Sequence, residues 1–305
     1  MKVLNFGSLN IDRSYIVPHF VRAGETLASL EMKTAGGGKG LNQSIALARA
    51  GLPVWHAGKI GSDGAFLLRE LSESGVDVSL VHQDSTLPTG HAIIQVDPLG
   101  QNCILLYGGA NQSISQEEVD AVLAHFAPGD WLFLQNEISC LPYLIAQGRE
   151  RGMQVVLNPS PLDDALLHTD LSGVSWLILN EIEGAGLTGE QEPQDICQVL
   201  RRRWPGMQVV LTLGDNGSLC ASEQGLLRQA VFPVEAVDST AAGDTFTGYF
   251  FASVCMGLSH AQALTRASMA AALAVARPGA APSIPHAQQV DDALTALVPS
   301  KSSAI

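Results

Sequence analysis

A run of small residues that ends in one carboxylate, Asp238-Ser-Thr-Ala-Ala-Gly-Asp244-Thr-Phe-Thr-Gly248, has the composition of an anion site beside a base. Residues 231–237 before it have the pattern of a strand, and the apolar spacing after it is helical. Asp244 is therefore predicted in the first turn of a helix, where unpaired N–H groups and the helix dipole attract negative charge. The alternative is a simple capping aspartate, whose carboxylate satisfies one free N–H group.

A second small-residue segment, Ala35-Gly-Gly-Gly-Lys-Gly-Leu-Asn42-Gln43, also precedes a predicted helix, residues 41–50. It too leaves polar side chains at the start of a helix. Two open helix N-termini in one domain predict a shared ligand, and a transferred phosphoryl group carries the charge that such a site attracts.

Composition restricts the class of protein. The chain has 305 residues, enough for one large α/β domain or two small ones, and its 46% hydrophobic and 15% charged residues are typical of a compact globular protein. A net charge of -13 argues against a nucleic acid or an anionic membrane as partner. The chain start lacks the small-residue cleavage site of a signal peptide, so a cytoplasmic location is expected.

The five cysteines are far apart and form no CxxC pair, and the eight histidines show no ligand spacing. Neither a disulfide framework nor a zinc site is indicated. We expect no transition-metal site built by the protein.

Apolar segments alternate in the order strand, helix, strand, helix, which favours an α/β core. Two extended segments, 12–35 and 89–111, interrupt the alternation and are interpreted as a small β-sheet lid. The predicted catalytic core then comprises 1–11, 36–88 and 112–299, and residues 300–305 are expected to fray.

Other nucleotide-binding motifs do not fit. The P-loop pattern GxxxxGK[ST] is absent, because Gly40 rather than Ser or Thr follows Lys39. GxGxxG can be traced at Gly36-Gly-Gly-Lys-Gly40 only by ignoring its last glycine, and GxSxG does not occur.

The chain resembles the ribokinase family of sugar kinases (PfkB-type carbohydrate kinases) over nearly its whole length. The resemblance depends on seven segments that occur in the family's order: Gly7-Ser-Leu-Asn10-Ile-Asp12, Gly37-Gly-Lys-Gly-Leu-Asn42-Gln43, Gly61-Ser-Asp-Gly64, Gly109-Ala-Asn111, Asn180-Glu-Ile-Glu183, Thr212-Leu-Gly-Asp-Asn-Gly217 and Asp238-Ser-Thr-Ala-Ala-Gly-Asp244. It implies a ribokinase-like three-layer α/β/α core with a mostly parallel sheet and a small β-sheet lid.

The resemblance also implies roles for individual residues. Asp244 would be the general base, with the backbone N–H groups of Ala241, Ala242, Gly243 and Asp244 facing the transferred phosphoryl group. The sugar-binding positions would be Asn10, Asp12, Gly38, Lys39, Asn42 and Glu137, together with Asp244. Lys39 could contact phosphate or balance nearby acids, Asn42 could satisfy the backbone, and Glu137 could be a surface acid.

ATP would be the phosphoryl donor, and its positions would be Asn180, Glu183, Thr212, Gly214, Gly217 and Ser268. Glu183 would help to organise Mg²⁺ through water. A monovalent cation, K⁺, would bind beside the anion site at Asp238, Thr240, Ala274, Arg277, Gly279 and Ser283. Residues 277–279 could instead simply end a helix. Gly214 and Gly217 need no role beyond the turn in which they lie.

By resemblance the expected substrate is D-ribose, phosphorylated at its primary hydroxyl. Fructose, 2-keto-3-deoxygluconate and nucleosides such as adenosine remain open, as does a non-catalytic sugar sensor that has kept the fold. The apolar faces and exposed edges of the predicted lid favour a homodimer formed through it.

Overall fold

The computed structural model describes residues 1–297, so the tail predicted at 300–305 lies outside the described residues. Two compact units make up the chain. The first contains Met1–Leu41 and Val54–Gly173, and the second contains Asn42–Pro53 and the described residues from Val174. No helix within residues 1–297 is long and apolar enough to cross a membrane.

The described residues form thirteen strands and ten α-helices. The strands are β1 Val3–Phe6, β2 Asn10–Ile16, β3 Glu31–Gly37, β4 Val54–Ile60, β5 Val76–Gln83, β6 Gly90–Val96, β7 Asn102–Tyr107, β8 Trp131–Gln135, β9 Gln154–Asn158, β10 Trp176–Asn180, β11 Gln208–Thr212, β12 Ser218–Ser222 and β13 Gly225–Gln229. The helices are α1 Lys39–Arg49, α2 Ala65–Glu73, α3 Gln116–Leu123, α4 Leu141–Glu150, α5 Asp164–Leu167, α6 Glu181–Thr188, α7 Pro193–Arg203, α8 Ala242–Cys255, α9 His260–Val275 and α10 Ala287–Leu297.

In the first unit, five parallel strands lie in the order β9-β8-β1-β4-β5. Every residue of β1 and β8 is buried, as expected for parallel strands that are covered on both faces. The polar residues that follow these two strands, near residues 8–12 and 136–139, therefore leave the sheet at the same edge.

A separate four-stranded sheet of the first unit has the order β3-β2-β6-β7. It contains both extended segments that were predicted to leave the core. Strand β7 is an edge strand, and all six of its residues are exposed. The smaller second sheet expected from the sequence is thus present, while the exact limits of core and lid stay a prediction.

In the second unit the strand order is β13-β12-β11-β10, with β10 and β11 parallel and the remaining pairs antiparallel. The turn predicted at residues 215–217 connects β11 to β12 through a short 3-10 helix, Gly214–Asn216. The core includes Trp176, whose ring lies 5.7 Å from that of Phe250 and 5.5 Å from that of Phe251. Helix α8 thereby packs its aromatic face on β10.

One predicted strand is wrong. Residues 231–237 form no strand and are largely exposed, although their composition is apolar. Pro233 cannot donate a ladder hydrogen bond, and β13 ends at Gln229. This irregular segment lies along a cavity that is described below.

Candidate active site

The N-terminus of α8 has an unusual backbone. Ala241, the residue before the helix, has φ 59° in the left-handed region, which non-glycine residues seldom adopt. The N–H of Ala242 donates to the Ser239 carbonyl at 3.2 Å, whereas the N–H groups of Gly243 and Asp244 have no acceptor among the described residues. A Cβ built on Gly243 would meet no atom within 4 Å. The start of α8 therefore has two N–H groups without an acceptor among the described residues, and the space beside Gly243 is open.

Both oxygens of the Asp244 carboxylate accept side-chain hydrogen bonds. Asn42 Nδ2 lies 3.0 Å from Oδ2, and Gln43 Nε2 lies 2.9 Å from Oδ1. Asp244 is only 7% exposed. The two segments that the sequence singled out thus meet at one carboxylate, which the α1 amides hold in a fixed orientation.

One polar atom of the Asn42 side chain has no hydrogen-bond partner among the described residues. Its amide nitrogen is used on Asp244, but its carbonyl oxygen Oδ1 is buried and has no hydrogen-bond donor among the described residues. A buried acceptor without a donor costs free energy unless a ligand or water satisfies it. Asn42 therefore does not satisfy the backbone, which was the alternative interpretation.

A close crossing of α1 and α8 brings these groups together. A Cβ on Gly248 would lie 2.8 Å from the Ala46 backbone carbon, so only glycine allows this approach. Ala46 is one helical turn after Asn42, and Gly248 is one turn after Asp244. The contact between the helices therefore determines which side chains meet at their N-terminal ends.

The predicted sugar positions of the first unit form a polar cluster at the ends of β1 and β8. Asn111 Nδ2 donates to Asn10 Oδ1 at 2.8 Å, and Asn111 Oδ1 accepts from the Leu9 N–H at 3.0 Å. Asn10 is 3% exposed. Asn111 was quoted in a motif without a role, and the structure shows that it orients Asn10.

Asp12 is one of the titratable groups of this cluster. Burial, together with the nearby carboxylates of Glu137 and Glu70, raises the pKa of Asp12 to about 6. A Cβ on Gly37 would overlap the Asp12 carboxylate, so a larger residue there would displace that side chain. Asp12 is thus poised to change its charge just below neutral pH.

The N-terminus of α1 is closed by the protein itself. The N–H of Lys39 donates to Glu137 Oε2 at 3.0 Å, that of Gly40 to Ser8 Oγ at 3.2 Å, and that of Leu41 to the Ser8 carbonyl at 3.0 Å. Ser8 Oγ also donates to Glu137 Oε2. Glu137 is therefore not a plain surface acid, and the expectation of two open helix N-termini is wrong for α1.

Four of the predicted nucleotide positions line one cavity of about 390 Å³ in the second unit. They are Thr212, Gly214, Gly217 and Ser268, and the cavity also contacts Ala242 and Gly243. Apolar side chains, including Phe246 and Val275, form much of the wall. This combination of an apolar recess and a free helix N-terminus suits a base with phosphates attached.

Asn180 and Glu183 do not line that cavity. They form a capping box, in which the Glu183 N–H donates to Asn180 Oδ1 at 2.8 Å and the Asn180 N–H donates to Glu183 Oε2 at 3.0 Å. Steric reasons alone account for glycine at positions 214 and 217. Gly214 and Gly217 have φ 51° and 91°, and a Cβ on Gly217 would overlap the Gln229 carbonyl.

Two of the predicted cation positions, Thr240 and Gly279, are bonded to the Asp238 carboxylate. Its Oδ1 accepts from the Thr240 N–H at 2.9 Å and from the Thr240 hydroxyl at 2.6 Å, and its Oδ2 accepts from the Gly279 N–H at 2.9 Å. Burial opposes ionisation, but these hydrogen bonds outweigh it and hold the pKa of Asp238 below its usual value.

The other cation positions lie on the adjoining chain. The Ala274 carbonyl accepts from the Arg277 N–H at 3.0 Å, and the Ser283 hydroxyl donates to the Ala280 carbonyl at 2.8 Å. Among the described residues, no three His, Cys, Asp or Glu side chains converge as metal ligands.

Three residues that sequence reasoning left without a role hold the site residues in place: Ser8, Gln43 and Asn111. All three lie inside the quoted motifs. Position in a motif was the available signal, since hydrogen bonds between distant segments cannot be read from local spacing.

Comparison with known proteins shows the family to which the chain belongs. The family model for pfkB family carbohydrate kinases matches residues 1–287. The ribokinase of Haemophilus influenzae is 36% identical over 297 residues, which cover 93% of this chain and 95% of the relative. The ribokinase of Staphylococcus aureus is 34% identical over 303 residues, 95% of this chain and 98% of the relative.

A solved structure of Arabidopsis thaliana ribokinase, complexed with ribose and ATP, matches with a TM-score of 0.84 and 30% identity over 96% of this chain and 98% of its own. The expected ribokinase-like fold is thereby confirmed. The chain belongs to the pfkB family of carbohydrate kinases, which are phosphotransferases that act on an alcohol group.

Proposed function

We propose that this protein is an ATP-dependent ribokinase, which transfers the γ-phosphoryl group of ATP to the primary hydroxyl of D-ribose and forms ribose 5-phosphate and ADP. The observation that carries the proposal is the Asp244 carboxylate, held by two amides at a helix N-terminus with free N–H groups. Ribokinases in the bacteria and the plant named above support the choice of sugar.

In the proposed reaction Asp244 accepts the proton of the attacking hydroxyl, whose oxygen forms a bond to the γ-phosphorus as the bond to the β-phosphate oxygen breaks. The free N–H groups of Gly243 and Asp244 stabilise charge on the transferred group, with Ala241 and Ala242 shaping the turn that aims them. Most of the rate enhancement then comes from positioning and electrostatics.

The sugar is proposed to bind through carboxylate and carboxamide groups. The Asp12 carboxylate accepts hydrogen bonds from ribose hydroxyls, and the Asn10 amide donates to one. The unpaired Asn42 Oδ1 accepts a further hydrogen bond from the sugar. Glu137 and Gly38 shape the start of α1, which presents Asn42. Lys39 is assigned to the same region, where its charge balances the acids.

ATP is proposed to place its base in the 390 Å³ cavity, against Ser268 and the apolar wall, with its phosphates toward Gly243. Thr212, Gly214 and Gly217 border the same space. Mg²⁺, when bound, neutralises phosphate charge. Glu183 fits an outer role toward it, because only its Oε2 is used in the capping box.

K⁺ is proposed to bind the loop that Asp238 and Thr240 share with Gly279. The donor set fits a monovalent cation, since it offers one ionised carboxylate and the backbone carbonyls near Ala274, Arg277 and Ser283. A cation there would steady the turn that precedes α8.

Homodimerisation through the four-stranded sheet is proposed from its exposed edge. On β7, Ile104 is 55%, Leu105 68% and Tyr107 50% exposed. An apolar edge of this kind is expected to pair with a second copy of the chain. Light scattering at micromolar concentration tests it, and a monomer would contradict it.

A cytoplasmic location is also proposed, in keeping with five cysteines that form no disulfide.

The test is ADP release from ATP and Mg²⁺ with ribose, 2-deoxyribose, fructose, 2-keto-3-deoxygluconate or adenosine, each with and without K⁺. The proposal predicts a signal with ribose that K⁺ increases. A stronger signal with another member of the panel would reassign the substrate. Ribose binding with no ADP release from any sugar would favour the sensor and overturn the proposed activity.

A further inference from the structure

Gln43 is a fully buried side chain that holds Asp244 but takes part in no step of the proposed reaction. Its exposed fraction is 0%, and its amide nitrogen lies 2.9 Å from Asp244 Oδ1. A hydrogen bond to an ionised carboxylate is stronger than one between neutral groups, so this contact has a large influence on where the carboxylate lies.

The two amides on Asp244 are not equivalent. Asn42 still has an acceptor atom without a donor, so it can reach a ligand while its nitrogen stays on Oδ2. Gln43 exposes no surface and offers nothing to a ligand. Oδ1 is therefore held by a fully buried side chain, and Oδ2 is held by the side chain that is proposed to contact the sugar.

The helix crossing gives Gln43 a rigid support. It lies three residues before Ala46, which packs directly against Gly248 of α8. A side chain anchored one turn from such a contact has little freedom to move, so it can set the rotation of the Asp244 carboxylate about its own axis.

We propose that Gln43 is a positioning residue, which holds Oδ1 of Asp244 so that Oδ2 faces the attacking hydroxyl. The inference rests on the proposed kinase function and deepens it. It predicts that loss of the Gln43 donor slows the chemical step more than it weakens sugar binding.

The test is Gln43→Met, which keeps the length of the side chain and removes the donor. We expect kcat to fall about 10- to 100-fold, while KM for ribose stays within about twofold. The ratio of these two effects is the readout, since general damage to the site would weaken sugar binding as well. Gln147→Met makes the same change at Gln147, whose amide lies 2.8 Å from Glu150 on α4, and should leave both kcat and KM unchanged.

A kcat within twofold of the original, or a rise in KM for ribose as large as the fall in kcat, would overturn the inference. Should Gln43→Met fail to fold, Gln43→Asn keeps the amide but is one methylene too short to reach Oδ1, and the same results are expected.

A crystal structure of the variant separates this inference from the proposed function. It predicts that the Asp244 carboxylate rotates away from its present orientation, whether or not any sugar is phosphorylated. An unchanged carboxylate would overturn the role of Gln43 even in an active ribokinase. If the carboxylate rotates in the variant but the unmodified protein phosphorylates no sugar, only the proposed function is overturned.

Discussion

Helices α1 and α8 both begin after a run of small residues, yet their N-termini differ in kind. At α1 the first three N–H groups already have acceptors on Ser8 and Glu137. At α8 the N–H groups of Gly243 and Asp244 have none among the described residues. The two segments look alike in sequence, and the difference comes from what neighbouring segments supply.

Helix α1 therefore contributes side chains to the site, whereas α8 contributes the N–H groups of its first turn. Asn42 and Gln43 extend from α1 to the Asp244 carboxylate. The dipole and free donors of α8 remain available for an anion. A glycine-rich helix start is thus insufficient evidence for a phosphate site, because acceptors from elsewhere in the fold can occupy its donors.

The largest expected effect concerns the carboxylate at the open end. Asp244→Asn should lower kcat about 10²- to 10⁴-fold, because the proposed base is lost while the shape is kept. Steady-state kinetics with ribose measure it. Asp195→Asn, the same change in the first turn of α7, is the control and should have no effect. Near-normal turnover of Asp244→Asn would show that the open end holds no base.

A second experiment fills the space before the open end. Gly243→Ala adds a methyl group where the protein has no atom within 4 Å, so the melting temperature should not fall. If a phosphoryl group occupies this space, kcat/KM for ATP should drop by about 100-fold. Unchanged kinetics would mean that the anion binds elsewhere.

A third experiment uses the acids at the closed end. Since Asp12 must be ionised to accept two hydroxyl donors, KM for ribose should rise roughly tenfold per pH unit below pH about 6. The Glu137 charge contributes to this raised pKa. Glu137→Gln should therefore move the rise in KM to lower pH, and a rise at the same pH would argue against Asp12 as its source.

The raised pKa of Asp12 also has a consequence for stability. Because the folded protein binds this proton more tightly than the unfolded chain, the contribution is favourable at low pH and is lost as pH rises from about 4 to about 6. Asp12→Asn should raise the free energy of unfolding at pH 7 by about 1 to 2 kcal/mol. Urea titration measures it, and a loss of stability at pH 7 would contradict the assignment.

The smallest effect is expected from opening α1. Ser8→Ala removes the hydroxyl that accepts from the Gly40 N–H, so the free energy of unfolding should fall by about 1 kcal/mol. Ser172→Ala, at an exposed loop hydroxyl, should change it by less than about 0.5 kcal/mol. Equal values for the two variants would mean that the closure of α1 contributes nothing to stability.

The fold class could be predicted because apolar segments alternate between strand and helix patterns along the chain and seven motifs occur in order. Residues 231–237 show where this fails, since an apolar segment with Pro233 lines a cavity instead of joining a sheet. Asn42 contacts Asp244 because α1 and α8 cross each other, although these two residues are about 200 positions apart in sequence. No local pattern contains that contact, nor the closure of α1 by Glu137.

A crystal structure with ADP, ribose and a planar metal fluoride, which imitates the transferred phosphoryl group, tests the contrast between the two helices most directly. We expect fluorides about 2.7–3.2 Å from the N–H groups of Gly243 and Asp244, and the ribose primary hydroxyl within hydrogen-bond distance of Asp244 Oδ2. The α1 N–H groups should stay on Ser8 and Glu137. A fluoride bound at the start of α1, or remote from α8, would show that the start of α8 is not the phosphoryl site.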